Sequence, residues 1–222
     1  KVGNLWPADL ARLYAYCNQK GHVQELVLAF RALLGKTLQL EGGTVIDVGC
    51  GPFTAGLALA NVVGATQAYD YYGVDHARSM CDLGIELANE VRAAGALHPD
   101  TKIQFLQDTN NIYTEGFRRG TPTLVVLSYL MASKSVNVET TTAEVIAACD
   151  RIGMGSVSLL YTNSSHHWAD RNYEPFAKLL EGAGFKFIDG ATQTLTEISA
   201  KRNVHYALFR RPPQTRLAKD FF

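Results

Sequence analysis

From residue 44 onward, short apolar runs alternate along the chain with longer stretches of helical periodicity. A run that is apolar at consecutive positions is typical of a strand buried on both faces, so this order predicts a mostly parallel sheet with helices on both faces. The helical stretches are roughly 54–63, 77–94, 139–149 and 172–183. The seven predicted strands are 45–48, 72–74, 103–106, 124–127, 157–161, 185–188 and 204–209.

The last two predicted strands are joined by a long polar stretch, residues 191–203, which has no helical pattern. We therefore expect an antiparallel hairpin at the end of the sheet rather than another helical crossover. Together these elements predict an α/β fold with a doubly wound, seven-stranded, mostly parallel sheet.

Residues 6–34, before this core, have apolar side chains at helical spacing, interrupted at Gly21. The pattern predicts two helices, with Pro7 in the first turn and Gly35 as a C-terminal stop. We divide the chain into an N-terminal helical extension, residues 1–36, and a ligand-binding domain, residues 37–222. Two interpretations of the extension stay open: a helix pair that packs against the core, and a lid over the ligand.

Charge and cysteine content narrow the function classes. Lys+Arg and Asp+Glu both total 21, and this balance argues against a protein that binds along phosphate backbones, although a small basic patch stays compatible with it. The four cysteines form no CxxC pair, which disfavours a zinc site or a disulfide framework and fits a reducing compartment. No apolar run reaches the roughly 18 residues of a membrane span, and we expect a cytoplasmic protein without membrane contact.

The most informative segment is TVIDVGCGPFTAG at residues 44–56, where a strand, a glycine turn and a helix follow one another. Such a turn binds either a dinucleotide or S-adenosylmethionine. Thr54 replaces the third small residue of the dinucleotide fingerprint, and Pro52 has no N–H for a pyrophosphate. Asp47 would repel a diphosphate and attract the ammonium group of a methionine moiety. The turn therefore favours S-adenosylmethionine over NAD.

The segment VIDVGCGP at 45–52 resembles the first motif of class I S-adenosylmethionine-dependent methyltransferases, and YGVDHARSM at 72–80 is similar to their second motif. The resemblance extends in order over residues 44–210 and implies a Rossmann-like fold. The chain departs from the family pattern at Phe53, which stands in place of a third glycine. The interval from Asp47 to Asp75 also exceeds the roughly 20 residues of a compact unit, and we expect the extra length at 64–71. Asp70 competes with Asp75, which we prefer because it ends its strand.

The resemblance also implies which residues bind the cofactor, each near the carboxyl end of a strand, where the crevice of an open sheet lies. Asp47, Gly49 and Gly51 would surround the methionine part. Asp75 would accept hydrogen bonds from both ribose hydroxyls, and Asp108 would receive the adenine amino group. The full implied set is Asp47, Gly49, Cys50, Gly51, Asp75, His76, Met80, Asp108, Thr109 and Ser128.

Candidate catalytic residues follow the fourth and fifth strands. The face of Tyr129 would stabilise the cationic donor. His166 or His167 would take a proton from a hydroxyl or amine acceptor near neutral pH, and the alternative is a solvated loop whose histidines cap the next helix. The histidine pair has no third ligand at a recognisable spacing, so we predict no metal site.

These features predict an enzyme that transfers a methyl group from S-adenosylmethionine, leaving S-adenosylhomocysteine, to an oxygen or nitrogen atom of a small molecule or a protein. One alternative is an rRNA or tRNA methyltransferase, although nucleic acid is not the favoured partner. Another is a non-catalytic protein of the same fold that serves in binding or assembly, for which the bulky Phe53 is the argument. A nicotinamide oxidoreductase is the third. The basic tail from residue 210 is either a solvated end or a contact for a nucleic acid or partner chain.

Overall fold

A computed structural model describes residues 3–34, 39–112, 120–195 and 202–214. Seven strands form one sheet: β1 (Gly43–Val48), β2 (Tyr69–Val74), β3 (Lys102–Leu106), β4 (Thr123–Ser128), β5 (Val157–Ser164), β6 (Lys186–Leu195) and β7 (Arg202–Arg211). The order across the sheet is β3-β2-β1-β4-β5-β7-β6. The first five strands of this order are parallel, and β7 is antiparallel to both of its neighbours. The predicted doubly wound sheet and its terminal hairpin are confirmed.

Helices cover both faces of the sheet, because consecutive strand residues point to opposite faces and both faces are apolar. In β1, Val45 and Ile46 are both fully buried, and each belongs to a different apolar core. The helices are α1 (Pro7–Tyr14), α2 (Lys20–Ala29), α3 (Thr54–Val62), α4 (Arg78–Ala93), α5 (Val138–Ile152), α6 (His167–Asp170) and α7 (Tyr173–Gly182). The helices α2, α3 and α4 contribute to the first core, and α5 and α7 contribute to the second.

The predicted helix break at Gly21 is wrong. Gly21 is buried within α2, and α1 continues into α2 through a π-helical turn at Ala15–Gln19. A glycine inside a helix costs only about 1 kcal/mol, too little to break a helix whose apolar face is packed. A second π-helical turn, Phe30–Leu34, follows α2. The predicted stop at Gly35 and the domain boundary after residue 36 lie outside the described residues.

The strand β6 is longer than its apolar run, which ends at residue 188. The strand continues to Leu195 and pairs with β7 along its length, apart from one irregularity between Phe187 and Asp189. Its side chains from Ala191 to Thr194 are exposed at the edge of the sheet. An edge strand can carry polar residues on exposed positions, so hydropathy alone marks only part of it. Residues 196–201, within the predicted polar connection, and the tail after residue 214 lie outside the described residues.

The strand β1 lies between β2 and β4, so the chain order reverses at this point of the sheet. In open α/β sheets a crevice forms outside the carboxyl ends of the strands at such a reversal, and this places the expected binding cleft. Within the described ranges, no helix is both long enough and apolar enough to cross a membrane.

A bulky residue holds the turn after β1. Phe53 adopts a left-handed conformation, with φ 70° and ψ 32°, and its side chain is fully buried. The ring packs edge-on against Tyr71 and Phe105, at 5.0 Å and 5.8 Å between centroids. A Cβ atom at Gly56 would lie only 1.8 Å from Cε2 of this ring. Gly56 therefore provides the space for the aromatic ring that replaces the third glycine.

We expect Gly56→Ala to destabilise the protein by about 1–3 kcal/mol, because the new methyl group overlaps the Phe53 ring. The free energy of unfolding, measured with a chemical denaturant, tests this. Gly182→Ala is the matched control, since no atom lies within 4 Å of a Cβ at that position. In a Phe53→Gly background, Gly56→Ala should no longer lower the free energy of unfolding, because the ring that the methyl group overlaps is absent. Equal costs in the two backgrounds would contradict the packing argument.

Candidate functional site

A cleft of about 770 Å³ opens at the carboxyl ends of β1, β2 and β4. It gathers residues from four separate segments that the sequence analysis singled out. The predicted site residues that line it are Gly49, Gly51, Asp75, His76, Met80, Asp108, Thr109, Ser128 and Tyr129. A second cavity, of about 670 Å³, lies at the opposite end of the strands and contains none of the predicted site residues.

The backbone N–H groups of the glycine turn are hydrogen-bonded within the protein. The N–H groups of Gly49 and Cys50 both donate to the carbonyl oxygen of Val74, at 2.8 Å and 3.1 Å. The N–H of Gly51 donates to Oδ2 of Asp75 at 3.1 Å, and the next residue, Pro52, has no N–H. Gly49 and Gly51 both have positive φ, which other residues adopt only with strain. A diphosphate at this turn would lie beside the Asp75 carboxylate and would find the N–H groups of the turn already hydrogen-bonded.

Asp75 connects two backbone segments at the floor of the cleft. Besides the Gly51 N–H, its carboxylate accepts the N–H of Ala77 at 2.9 Å. Its side chain is 12% exposed, and the nearly fully exposed His76 ring lies 3.7 Å away. The competing candidate, Asp70, lies opposite Thr44 near the start of β2 and does not line the cleft.

Asp47 and Cys50, by contrast, lie beneath the turn and do not line the cleft. Asp47 is 1% exposed and accepts the Tyr71 hydroxyl at 2.6 Å, and burial raises its pKa to about 7. The Cys50 thiol is equally buried and donates to the carbonyl of Gly51. Asp47 is therefore kept from the cleft in this structure, and its expected place beside the methionine part, directly or through water, stays a prediction. Asp47 shares a strand face with Val45, so its side chain points into the first core rather than the crevice.

The segment after β3 contributes a capped turn with an unsatisfied hydroxyl. Asp108 accepts the N–H of Asn110 at 2.8 Å and thereby begins a 3-10 turn, Thr109–Asn111. Thr109 is 4% exposed, and none of the described residues hydrogen-bonds to its Oγ1. A buried hydroxyl without a partner costs about 1–3 kcal/mol. Because Thr109 lines the cleft, a polar ligand would remove this cost.

Sequence reasoning missed several cleft residues, among them Tyr14 and His22, which the N-terminal helix supplies. The Tyr14 hydroxyl lies 3.0 Å from Nδ1 of His22. Eight residues of regular α-helix rotate by about 800°, which would leave two such side chains about 80° apart. The π-helical turn at Ala15–Gln19 lies between them and accommodates an extra residue, which reduces this offset. Apolar spacing does not reveal a π turn, so the sequence offered no signal for the pair.

No protein-family profile and no curated protein matches this chain. Solved structures of methyltransferases share its architecture. A Synechocystis magnesium protoporphyrin IX methyltransferase with bound S-adenosylhomocysteine superposes with a TM-score of 0.54, at 17% identity over 86% of this chain and 84% of that one. An Aquifex aeolicus SAM-dependent methyltransferase superposes with a TM-score of 0.51, at 14% identity over 92% of this chain and 99% of that one. This chain has the methyltransferase fold.

A third structure contains a protein assigned as a methyltransferase, in complex with the Trm112 methyltransferase activator from Haloferax volcanii. Its chain superposes with a TM-score of 0.56, at 13% identity, and the match covers 93% of this chain and 97% of that one. These likenesses confirm the predicted class I methyltransferase fold.

In this methyltransferase fold, Tyr129 follows β4 in a strained conformation. Its φ is 59°, a left-handed value that costs a non-glycine residue about 1–3 kcal/mol. Its N–H donates to the carbonyl oxygen of Thr162 at 2.9 Å, which holds the turn against β5. The His22 ring stacks on the Tyr129 ring at 4.0 Å between centroids, with planes 17° apart. The strain thus presents an aromatic pair to the cleft.

After β5, His166 precedes α6 and His167 begins it; both are exposed and do not line the cleft. The His166 ring lies parallel to that of Trp168, at 6.4 Å between centroids. The loop is held by Asp170, which accepts the Tyr161 hydroxyl and contacts Nδ1 of His205, each at 2.8 Å. The structure does not bring the two histidines together with Tyr129, and a catalytic role for them stays a prediction.

Asp47 should make stability depend on pH. Because its folded-state pKa is raised from 3.8 to about 7, the native state binds more protons than the unfolded state between these values. The free energy of unfolding should therefore fall as pH rises from about 4 to about 7, by an amount on the order of a few kcal/mol.

Denaturant titrations of the wild type and Asp47→Asn across this range test the effect, because the amide cannot ionise. The fall should disappear in Asp47→Asn and persist in Asp82→Asn, which alters an exposed carboxylate on α4. An undiminished fall in Asp47→Asn would assign the titration to another group.

Proposed function

We propose that the protein binds S-adenosylmethionine in this cleft and transfers its methyl group to an oxygen or nitrogen atom of a small molecule or a protein. The observation that carries the proposal is the position of Asp75, at the end of β2 beside the glycine turn. A carboxylate at this point accepts hydroxyl donors and repels phosphate. The engaged amides of the turn further favour a cationic amino-acid moiety over a diphosphate.

The residues of the cleft suit the adenosine part of this cofactor. Asp75 would hold the ribose hydroxyls, with His76 and Met80 beside the adenine ring. Asp108 would accept the adenine amino group, and the unsatisfied Thr109 hydroxyl adds a polar contact near this acid. The cleft volume of about 770 Å³ lies within the range of about 300–1,000 Å³ that is usual for small-molecule sites.

Bound S-adenosylmethionine supplies an electrophilic methyl group. The contribution of the chain to such an in-line displacement is alignment of the acceptor, which can supply much of the rate acceleration. Gly49 and Gly51 set the depth at which a ligand can approach the turn, and a Cβ at Gly49 would lie 3.0 Å from Cδ1 of Leu130. The free face of the Tyr129 ring favours positive charge in the cleft.

Two observations bear on the alternatives. The Phe53 ring, which raised the prospect of a non-catalytic protein, is fully buried and does not line the cleft. The bulk at this position therefore leaves the binding space open, which supports an enzyme. None of the described residues that line the cleft is a lysine or an arginine, and this supports a non-nucleic-acid acceptor over RNA.

We expect Asp75→Ala to weaken the binding of S-adenosylmethionine at least tenfold, because an acceptor for two ribose hydroxyls is lost. Isothermal titration with S-adenosylmethionine measures the affinity, and a parallel titration with NAD should show no binding. A thermal unfolding curve establishes that the variant is folded.

Asp70→Ala is the matched control, because it removes a carboxylate from the same strand outside the cleft, and its affinity should stay within about threefold of wild type. Tight NAD binding to the wild type, or an equal loss in the two variants, would overturn the proposed function.

A further inference from the structure

The cleft extends beyond the predicted cofactor residues to a polar wall, formed by the segment after β4 and the first turns of α5. Thr140, Thr141 and Glu144 lie at spacings of three and four residues, which places them on one face of α5. We call these three residues, with Ser133, Ser135 and Asn137, the acceptor wall. No motif in the sequence marked the part of this wall from residue 135 to residue 144.

Among the described aspartate, glutamate, lysine and arginine side chains, those that line the cleft carry charge of one sign. Asp75, Asp108 and Glu144 all line it, and among the described residues no lysine or arginine does. Lys134 is exposed beside the acceptor wall but does not line the cleft. The Arg171 guanidinium, also near the wall, donates to the carbonyl oxygens of Ala132 and Ser133 at 3.3 Å and 3.1 Å. A cleft lined with charge of one sign concentrates ligands of the opposite sign.

Aromatic rings supply a second, independent feature that favours a cation. Tyr14 and Tyr129 are half-buried and line the same cleft, and the His22 ring stacks on one face of the Tyr129 ring. The face of an aromatic ring attracts a cation within about 6 Å of its centroid, more strongly where water is excluded. Burial raises the pKa of Tyr14 to about 12, so this phenol stays neutral at physiological pH.

We propose that the methyl acceptor is an alkylamine, bound as its ammonium form by Glu144 on the acceptor wall and by the aromatic rings of Tyr14 and Tyr129. Before the transfer the ammonium loses one N–H proton to the solvent at this exposed wall, because only the free amine has a lone pair that can form the N–C bond as S-adenosylhomocysteine leaves. The hydroxyls of Thr140 and Thr141 accept the N–H donors that such a group carries. Glu144 repels an acceptor that places a phosphate or carboxylate group at the acceptor wall. This inference rests on the proposed function, because it assigns the remaining part of the same cleft.

The test does not require the natural acceptor to be known. We use three analogues of S-adenosylmethionine in which a tertiary amine replaces the sulfonium and the amino-acid tail is kept. An ethyl arm on this amine takes the place of the methyl group, and it ends in an ammonium, a hydroxyl or a carboxylate group. A fourth analogue lacks the arm and reports binding at the cofactor part alone. Isothermal titration should give an affinity for the ammonium arm at least tenfold higher than for the carboxylate arm, with the hydroxyl arm between them.

Glu144→Gln should reduce this preference to within about threefold, while the affinity for the analogue without an arm is unchanged. Glu139→Gln is the matched control, since Glu139 is exposed on the first turn of α5 and does not line the cleft. Equal affinities for the three arms, or a preference that survives Glu144→Gln, would overturn the inference. Failure of the analogue without an arm to bind would instead count against the proposed function.

A fifth analogue, whose arm ends in an amide-capped lysine, distinguishes the two sources of an alkylammonium group. Tighter binding of the bare ammonium arm supports a small amine. Tighter binding of the lysine arm supports a protein side chain as the source of the same chemistry.

Discussion

The Asp75 carboxylate accepts backbone N–H groups from the glycine turn after β1 and from the start of α4. Two further bonds, from Gly49 and Cys50 to the carbonyl oxygen of Val74, fasten the same turn to β2. The geometry of the cleft depends on this connection, because it determines which groups of the turn remain available to a ligand. The Asp75 carboxylate stays partly exposed in the cleft, whereas the N–H groups of Gly49, Cys50 and Gly51 already donate hydrogen bonds within the protein.

The turn also shows how a departure from a family pattern can be accommodated. Phe53 occupies a left-handed position that favours glycine, and its ring fills space that the absent side chain of Gly56 leaves open. Edge-on contacts with Tyr71 and Phe105 offset part of the backbone strain. The bulk is thereby directed into the core, and the cleft stays accessible. Tyr129 has a similarly strained backbone, but its ring lines the cleft, whereas the Phe53 ring is buried in the core.

The N-terminal helix is part of the site as well as of the core. Leu26 and Phe30 are buried in the first core, and Gln19 donates to the carbonyl oxygen of Pro52 in the glycine turn. The same helix supplies Tyr14 and His22 to the cleft, and the interpretation of the extension as a lid stays a prediction. A cleft lined by this helix and the acceptor wall combines aromatic faces with negative charge.

The strands, the main helices and the terminal hairpin were predictable from the sequence, because strands buried on both faces leave uninterrupted apolar runs and their helices keep a 3.6-residue period. The glycine turn and the acid at the end of β2 were predictable because they are local motifs. Tertiary structure alone decided that Asp47 points into the core, since nothing local shows which strand face meets the crevice. It also brought Tyr14, His22 and Glu144 to the cleft and left His166 and His167 outside it. These placements depend on a π turn and on contacts between segments far apart in the chain, and neither changes the local pattern of apolar and polar residues.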